Sequence, residues 1–195
     1  VFNDTNFLSV SGPNSYHAQT TAFDTVYFET NPFSTLGKSF VRFSFDQIAK
    51  LAPESYGLLD VSVDKGVTWQ RIGSSEYQGN SPNFGSGQPQ FNEVSYPSNQ
   101  ISPWWKPYQN VVPDATWWAK EQFDISDFVG TVDSITGDTG FADVRLRYSI
   151  NYIAAPSFGL REGWFVDNVL VEGAPCELVA PVIDFMFPGA NKPEN

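Results

Sequence analysis

Apolar and polar residues alternate along several short segments of this chain. The alternation is clearest in SFVRFSF (39–45), where Val41, Phe43 and Phe45 fall on one face of an extended backbone. Similar segments, bounded by Gly, Pro, Asn or Asp, occur at residues 23–30, 57–63, 68–72, 143–152 and 163–173. A period of two, with many β-branched and aromatic residues, predicts β-strands.

Two segments favour a helical turn instead. Residues 45–52 (FDQIAKLA) have a helical composition that the following PES interrupts, which predicts a single turn. Residues 124–128 contain Asp and Ser, which cap helices well, so a second short turn is expected there.

The composition agrees with a β-rich domain. The chain has 195 residues, of which 41% are hydrophobic, 16% are aromatic and only 17% are charged. This length fits one domain that can bury a full core. We therefore predict an all-β jelly-roll sandwich of two antiparallel sheets over residues 1–178, with a long ordered insertion at about 73–116. Residues 179–195 are Pro-rich, and we expect an exit segment toward a following domain.

The insertion carries the candidate ligand-binding residues. Its Gly, Pro, Ser, Asn and Gln residues are typical of loops, and its aromatic residues predict anchors in an ordered excursion. Exposed indoles stack on sugar faces or on protein partners. Two tryptophan pairs and a tyrosine are the candidates: Trp104, Trp105, Tyr108, Trp117 and Trp118. One alternative is that the insertion is a lid over the apolar face of one sheet. For the two tryptophan pairs, the alternative is that they plug the core or the underside of the insertion.

Charge and reactive residues exclude several classes of protein. The net charge of −11 disfavours binding to nucleic acid and to anionic membranes. With one cysteine, Cys176, and one histidine, His17, the chain has no Cys/His zinc cage and no internal disulfide. We expect His17 to be a solvated loop residue. No apolar run reaches the length of a membrane span, and we expect the chain to be a piece of a longer protein.

Residues 62–69 (SVDKGVTW) resemble the Asp-box, with the pattern Ser-x-Asp-x-Gly-x-Thr-Trp. The matching residues are Ser62, Asp64, Gly66, Thr68 and Trp69. The Asp carboxylate of such a turn can accept backbone N–H groups, the Gly can take a positive φ, and the Trp can pack over the turn. We predict a hairpin staple, which is also its role in sialidases, where the box lies away from the catalytic pocket.

A second resemblance covers roughly residues 23 to 178. The segments WWAKEQFDISDFVG, VRLRYSINY and REGWFVDNVLVEG, in this order, resemble the second half of MAM-like and reelin-like jelly-roll modules. The whole is similar to modules in large secreted proteins of Bacteroidetes. Such proteins commonly leave the cell by the type IX route and serve as surface adhesins or as hydrolases with accessory domains. The resemblance therefore implies an extracellular or cell-surface location.

The resemblance also implies a possible structural calcium ion. Jelly rolls of this kind often hold calcium with a carboxylate near the start of the last strand, for which Asp167 is the candidate, and with carboxylates near an early strand, for which Asp24 and Asp46 are candidates. Calcium requires six to eight oxygen ligands, so one Asp is not enough. The alternative is that Asp167 and Asn168 only satisfy backbone groups of a loop.

The predicted function is that of a non-catalytic module contributing adhesion or glycan/protein recognition. Alternatives are an accessory domain of a secreted peptidase or glycosidase, a structural spacer, or a cargo segment held by the secretion machinery. Sialidases bind a carboxylate with a cluster of three arginines, and this chain has candidates for such a cluster in Arg145, Arg147 and Arg161. A sialidase propeller, however, needs a longer chain, and this chain contains only one Asp-box match. We expect these arginines to pair with carboxylates on a solvated sheet face. No residue is predicted to be catalytic.

Overall fold

A computed structural model describes residues 2–5, 9–12, 15–19, 25–51, 55–79, 91–92, 112–152 and 162–175. These residues form nine strands: β1 (Phe2–Thr5), β2 (Ser15–Ala18), β3 (Val26–Glu29), β4 (Phe40–Lys50), β5 (Ser55–Ser62), β6 (Gln70–Arg71), β7 (Ala119–Asp124), β8 (Arg145–Tyr152) and β9 (Gly163–Ala174). A 3-10 helix (Ala115–Trp117) precedes β7, and one α-helical turn, α1 (Ser126–Val129), follows it.

The strands form two antiparallel sheets. One sheet has five strands in the order β1-β2-β9-β4-β7, and the other has four in the order β3-β8-β5-β6. Strands near the two ends of the sequence pair with each other, and so do strands progressively nearer its middle. The pairs are β2 with β9, β3 with β8, β4 with β7 and β5 with β6. This order describes a long hairpin rolled into two layers, as in a jelly roll. The all-β sandwich prediction is confirmed.

Aromatic rings fill the space between the sheets. Phe43 and Phe45 of β4 are fully buried, and Phe43 stacks on Phe123 of β7 with ring centroids 4.9 Å apart. Phe45 contacts Tyr148 of the other sheet edge-on at 5.2 Å, and Tyr148 lies 5.7 Å from the ring of Trp164. Because each buried ring removes a large apolar area from water, these contacts hold the two layers together.

The helical turn expected at residues 45–52 is wrong. β4 continues as a strand to Lys50, and Gln47 pairs with Ala119 on one side and Val166 on the other. The Gln47 side chain accepts a hydrogen bond from Trp164 Nε1 at 2.7 Å. Pairing on both sides of the strand therefore outweighs the local helical composition.

The short turn expected at residues 124–128 is confirmed as α1. The Asp124 carboxylate accepts hydrogen bonds from Ser126 N at 3.0 Å and from Ser126 Oγ at 2.5 Å. Ser126 Oγ in turn accepts the backbone N–H of Val41 at 2.9 Å, which ties the turn to β4.

His17 is not the solvated loop residue that we expected. It lies in β2, pairs with Phe165 of β9, and stacks on the Phe165 ring at 4.2 Å. The backbone oxygen of Glu162 lies 2.5 Å from its Nε2 atom. The sequence of this four-residue strand, SYHA, has little apolar alternation, so the pattern did not predict a strand here.

The described parts of the insertion help to close the sandwich. Phe91 is fully buried, pairs with Gly57 of β5, and meets the rings of Phe45 and Phe123 edge-on. Tyr77 pairs with Phe123 along the outer side of β7 and donates its hydroxyl to the buried Glu121 carboxylate at 2.6 Å. These two residues therefore anchor the described parts of the insertion to the core.

Replacing Phe45 tests the role of the aromatic core. We expect Phe45→Ala to lower the free energy of unfolding by about 3–5 kcal/mol, because it leaves a cavity between the sheets. Phe40 is a matched control on the same strand, since its side chain is 60% exposed. Urea unfolding should show a change within about 0.5 kcal/mol for Phe40→Ala. Equal losses in the two variants would contradict this packing.

Candidate functional site

A cleft opens where β2 and β9 of one sheet approach β3 of the other. We call it the edge cleft; its volume is about 580 Å³. Apolar side chains of Tyr16, Phe28, Phe33, Val169 and Val171 line it, together with polar residues Ser15, Glu29, Thr30, Asn31, Asp167 and Asn168. The size and the mixed lining are typical of small-molecule binding sites.

The pairing of β9 explains why the sandwich is open here. β2 pairs with β9 only from Trp164 to Val166, whereas β9 continues to Ala174. Among the described strands, the rest of β9 pairs with β4 alone. The pairs Ser44–Leu170 and Asp46–Asp167 leave one residue of β4 opposite two of β9, which is a β-bulge.

Asn168 is the residue that forms the bulge. Its φ is +51°, in the left-handed region that Asn tolerates better than most residues. Its amide Nδ2 donates to Asp46 Oδ2 at 2.7 Å, and its Oδ1 accepts the hydroxyl of Ser11. The side chain therefore joins three chain segments at the edge cleft, which offsets the cost of the backbone conformation.

Asp167 holds a loop against the same bulge. Its Oδ2 accepts hydrogen bonds from the backbone N–H groups of Val10 at 2.7 Å and Ser11 at 3.0 Å. Its Oδ1 accepts a hydrogen bond from the backbone N–H of Asn168 at 2.7 Å. These three hydrogen bonds fix the orientation of the carboxylate. The loop before β2 is thereby fixed beside the cleft.

A stack of aromatic rings forms one wall of the edge cleft. Tyr16 of β2 stacks on Phe28 of β3 with centroids 5.0 Å apart, and Phe28 stacks on the buried Tyr148 at 4.6 Å. The planes are within 10° of each other in both pairs. Tyr16 stays 53% exposed, so a ring anchored in the core presents an open surface to solvent.

The polar side of the cleft lies at the end of β3. The Thr30 hydroxyl accepts Leu146 N at 3.1 Å and keeps its own proton for donation. Glu29 Oε1 accepts two hydrogen bonds from Arg147, at 2.7 and 3.2 Å. Within the described part of the chain, neither Glu29 Oε2 nor the Asn31 side chain has a hydrogen-bond partner.

Arg147 connects this rim to the outer face of the four-stranded sheet. Its guanidinium lies between two rings, 4.5 Å from the centroid of Tyr27 and 3.8 Å from that of Trp69. Cross-strand pairing aligns Glu29, Arg147, Asp60 and Arg71 in alternating charge across all four strands. Arginines on this face are paired with carboxylates, as expected, since Arg71 also contacts Asp60 at 2.7 Å.

The Arg145 guanidinium contacts Asp143 at 2.9 Å, so it too is paired. Arg161 lies outside the described residues. Arg71, Arg145 and Arg147 therefore form ion pairs on the sheet surface.

The residues that resemble an Asp-box form a closed hydrogen-bonded turn between β5 and β6. The two carboxylate oxygens of Asp64 accept hydrogen bonds from Thr68 N at 2.8 and 3.0 Å, and one of them also accepts a hydrogen bond from Thr68 Oγ1 at 2.6 Å. Ser62 Oγ donates a hydrogen bond to Asp64 at 2.8 Å and accepts one from Gly66 N at 2.9 Å. Trp69 Nε1 donates to Gly66 O at 3.0 Å. Gly66 has φ +85°, as the turn requires. Each polar group of the box is thus used within the hairpin.

The predicted aromatic ligand site is only partly described. Trp117 is not the exposed ring that we expected, because the 3-10 helix turns it inward and leaves it only 9% exposed. The Lys50 Nζ atom lies 5.1 Å from the centroid of its ring. Trp118 is half-buried against the core. Trp117 therefore does not present an open indole face, Trp118 stays a candidate, and Trp104, Trp105 and Tyr108 lie outside the described residues.

The calcium candidates are brought together in part. Asp46 and Asp167 are cross-strand partners, while Asp24 lies outside the described residues. Asp167 already accepts three N–H groups, and Asp46 accepts the Asn168 amide. In the described ranges, no group of three or more His, Cys, Asp or Glu residues could hold a metal ion. These residues do not by themselves fit calcium, which stays a prediction.

Comparisons with known proteins identify no family for this chain. No protein-family model matches it, and no curated protein matches it significantly. Among the described helices, none is long and apolar enough to cross a membrane. The class defined by the structure is therefore an all-β sandwich with an open edge cleft.

The residues that line the cleft were mostly missed from sequence. Tyr16, Phe28 and Asn31 are unremarkable in their local contexts, and only strand pairing brings them together. Asn168 offered one signal, because an Asn inside a strand pattern is unusual and favours a positive φ.

Replacing Asn168 tests the strain at the bulge. Both Asn168→Ala and Asn168→Gly lose the hydrogen bonds to Asp46 and Ser11, but only glycine adopts φ +51° without a steric cost. We expect the alanine variant to be less stable than the glycine variant by about 1 kcal/mol in urea unfolding. Equal stabilities would show that the backbone here is not strained.

The Asp-box gives a prediction for acid unfolding. Hydrogen bonds from the Thr68 side chain, and then from its backbone N–H, lower the pKa of Asp64 from 3.8 to about 2. A lowered pKa in the folded state stabilises the protein above about pH 4, and this contribution is lost as the pH falls toward 2. We expect Asp64→Asn to be less stable at neutral pH and to lose less stability than wild type between these pH values.

Asp138→Asn is the control, since the exposed Asp138 side chain makes no hydrogen bond to other described residues. Its stability should follow the wild-type pH dependence. If Asp64→Asn also followed the wild-type curve, the turn would not depend on the Asp64 charge.

Proposed function

We propose that this chain is a non-catalytic recognition module that binds its ligand in the edge cleft. One observation carries the proposal: the exposed ring of Tyr16 and the polar residues Thr30 and Asn31 line the same cavity. Ligand sites combine apolar walls with a few polar groups that fix orientation. The rigid aromatic stack behind Tyr16 supports the same role, because a pre-organised wall loses little entropy on binding.

The hydrogen bonding of the cleft carboxylates supports binding without catalysis. Asp167 accepts three backbone N–H groups, and Glu29 accepts Arg147. A general acid or base must reach a proton of the substrate. These two carboxylates instead hold the loop before β2 and the outer sheet face, so we assign them positioning roles.

We also propose that the module acts outside the cell, in a secreted or surface-attached bacterial protein that contributes adhesion. The support is the resemblance of residues 23 to 178 to MAM-like and reelin-like modules of Bacteroidetes, including the type IX route of secretion. The net charge of −11 is compatible with a soluble surface module.

An array that carries both glycans and peptides tests the binding role. We expect wild-type protein to bind a subset of spots and Tyr16→Ala to lose them, because the ring is the exposed apolar wall of the cleft. Tyr27→Ala is a matched control: Tyr27 is 54% exposed on the neighbouring strand β3 but stacks on Arg147 and does not line the cleft. Binding that survives in Tyr16→Ala, or no binding by wild type, would refute the proposal.

A further inference from the structure

The Tyr16 ring is suited to a ligand with a flat apolar face. It is held parallel to Phe28, which is itself stacked on buried Tyr148, so the plane of the exposed ring is fixed by the core. Pyranose rings carry such a face, formed by axial C–H groups, and tyrosine combines an apolar ring with a polar hydroxyl. A fixed ring can therefore align a sugar without a large loss of side-chain entropy.

Two consecutive residues supply polar groups beside this ring. The Asn31 carboxamide offers two N–H donors and an acceptor, and the Thr30 hydroxyl offers a donor. Both residues line the edge cleft. Adjacent donors and acceptors match the vicinal hydroxyl groups of a sugar, each of which both donates and accepts.

The charges around the cleft favour an uncharged ligand. No Lys or Arg is among the described residues that line it, whereas Glu29 and Asp167 are. An anionic ligand would meet two carboxylates on a chain of net charge −11. A cationic ligand gains little, because Arg147 already pairs with Glu29 and three N–H groups surround Asp167.

From the ring, the polar groups and the charges, we infer that the edge cleft binds a neutral saccharide of one or two residues. The sugar stacks on Tyr16, and its hydroxyls bond to Thr30 and Asn31. The volume of about 580 Å³ lies within the range of about 300–1,000 Å³ for small-molecule sites. This inference rests on the proposed function and names its ligand class.

A glycan array with matched acidic and neutral members tests the ligand class. The probes are neutral oligosaccharides ending in glucose, galactose, mannose or N-acetylglucosamine, the same chains capped with sialic acid, and glucuronic acid in place of glucose. We expect binding to some neutral probes and at least about tenfold weaker binding to their acidic counterparts. Extended peptides on the same surface provide the competing outcome.

Titration calorimetry of the best neutral probe then locates the site. We expect Tyr16→Ala to weaken binding about tenfold, Tyr16→Phe to retain it within about threefold, and Asn31→Ala to weaken it about fivefold. Tyr27→Ala should bind like wild type. Circular dichroism and melting of each variant confirm that it is folded.

The outcomes separate this inference from the proposed function. If only peptides bind, and Tyr16→Ala abolishes that binding, the recognition role stands and the saccharide inference is wrong. If acidic glycans bind as well as neutral ones, the charge argument is wrong and the inference fails. If no glycan or peptide binds, both proposals fail.

Discussion

Antiparallel pairing from the two ends of the chain toward its middle organises this molecule. Each of the strands β2 to β5 pairs with its mirror partner from β9 to β6, so one long hairpin is rolled into two facing layers. The innermost pair is closed by the Asp64 turn. At the outermost pair β2 and β9 remain together for only three residues, and the edge cleft lies there. The same pairing rule thus produces both the stapled turn and the opening.

The core and the cleft are parts of one aromatic arrangement. Tyr148 contacts Phe45 of the opposite sheet and also supports Phe28, on which the exposed Tyr16 ring stacks. Burial raises the pKa of the Tyr148 hydroxyl, as expected for a phenol without access to water. A change in the layer spacing would therefore be transmitted to the wall of the cleft. The hairpin of residues 62–69 is also connected to the edge cleft. Its Trp69 ring packs on the Arg147 guanidinium, and Arg147 forms an ion pair with Glu29 at the rim of the cleft.

The fold was more predictable from sequence than the site. Local alternation marked the long strands, and the Asp-box spacing marked the turn, because both depend on neighbouring residues. Residues 45–50 misled, since their helical composition is overridden by two partner strands. The cleft depends on pairings between distant segments: Tyr16 lies opposite Val166, and Asp46 lies opposite Asp167. Trp117 was predicted to be a ligand-binding residue because it follows a polar loop, but its side chain is buried in the structure.

We propose that ligand is recognised at the open edge of the rolled sheet and not at the hairpin of residues 62–69. Backbone amide NMR spectra, recorded while a pool of neutral mono- and disaccharides is added, test it most directly. We predict shifts confined to residues 15–16, 28–31 and 167–171, with residues 62–69 unchanged. Shifts concentrated at residues 62–69, or none at the cleft, would contradict it.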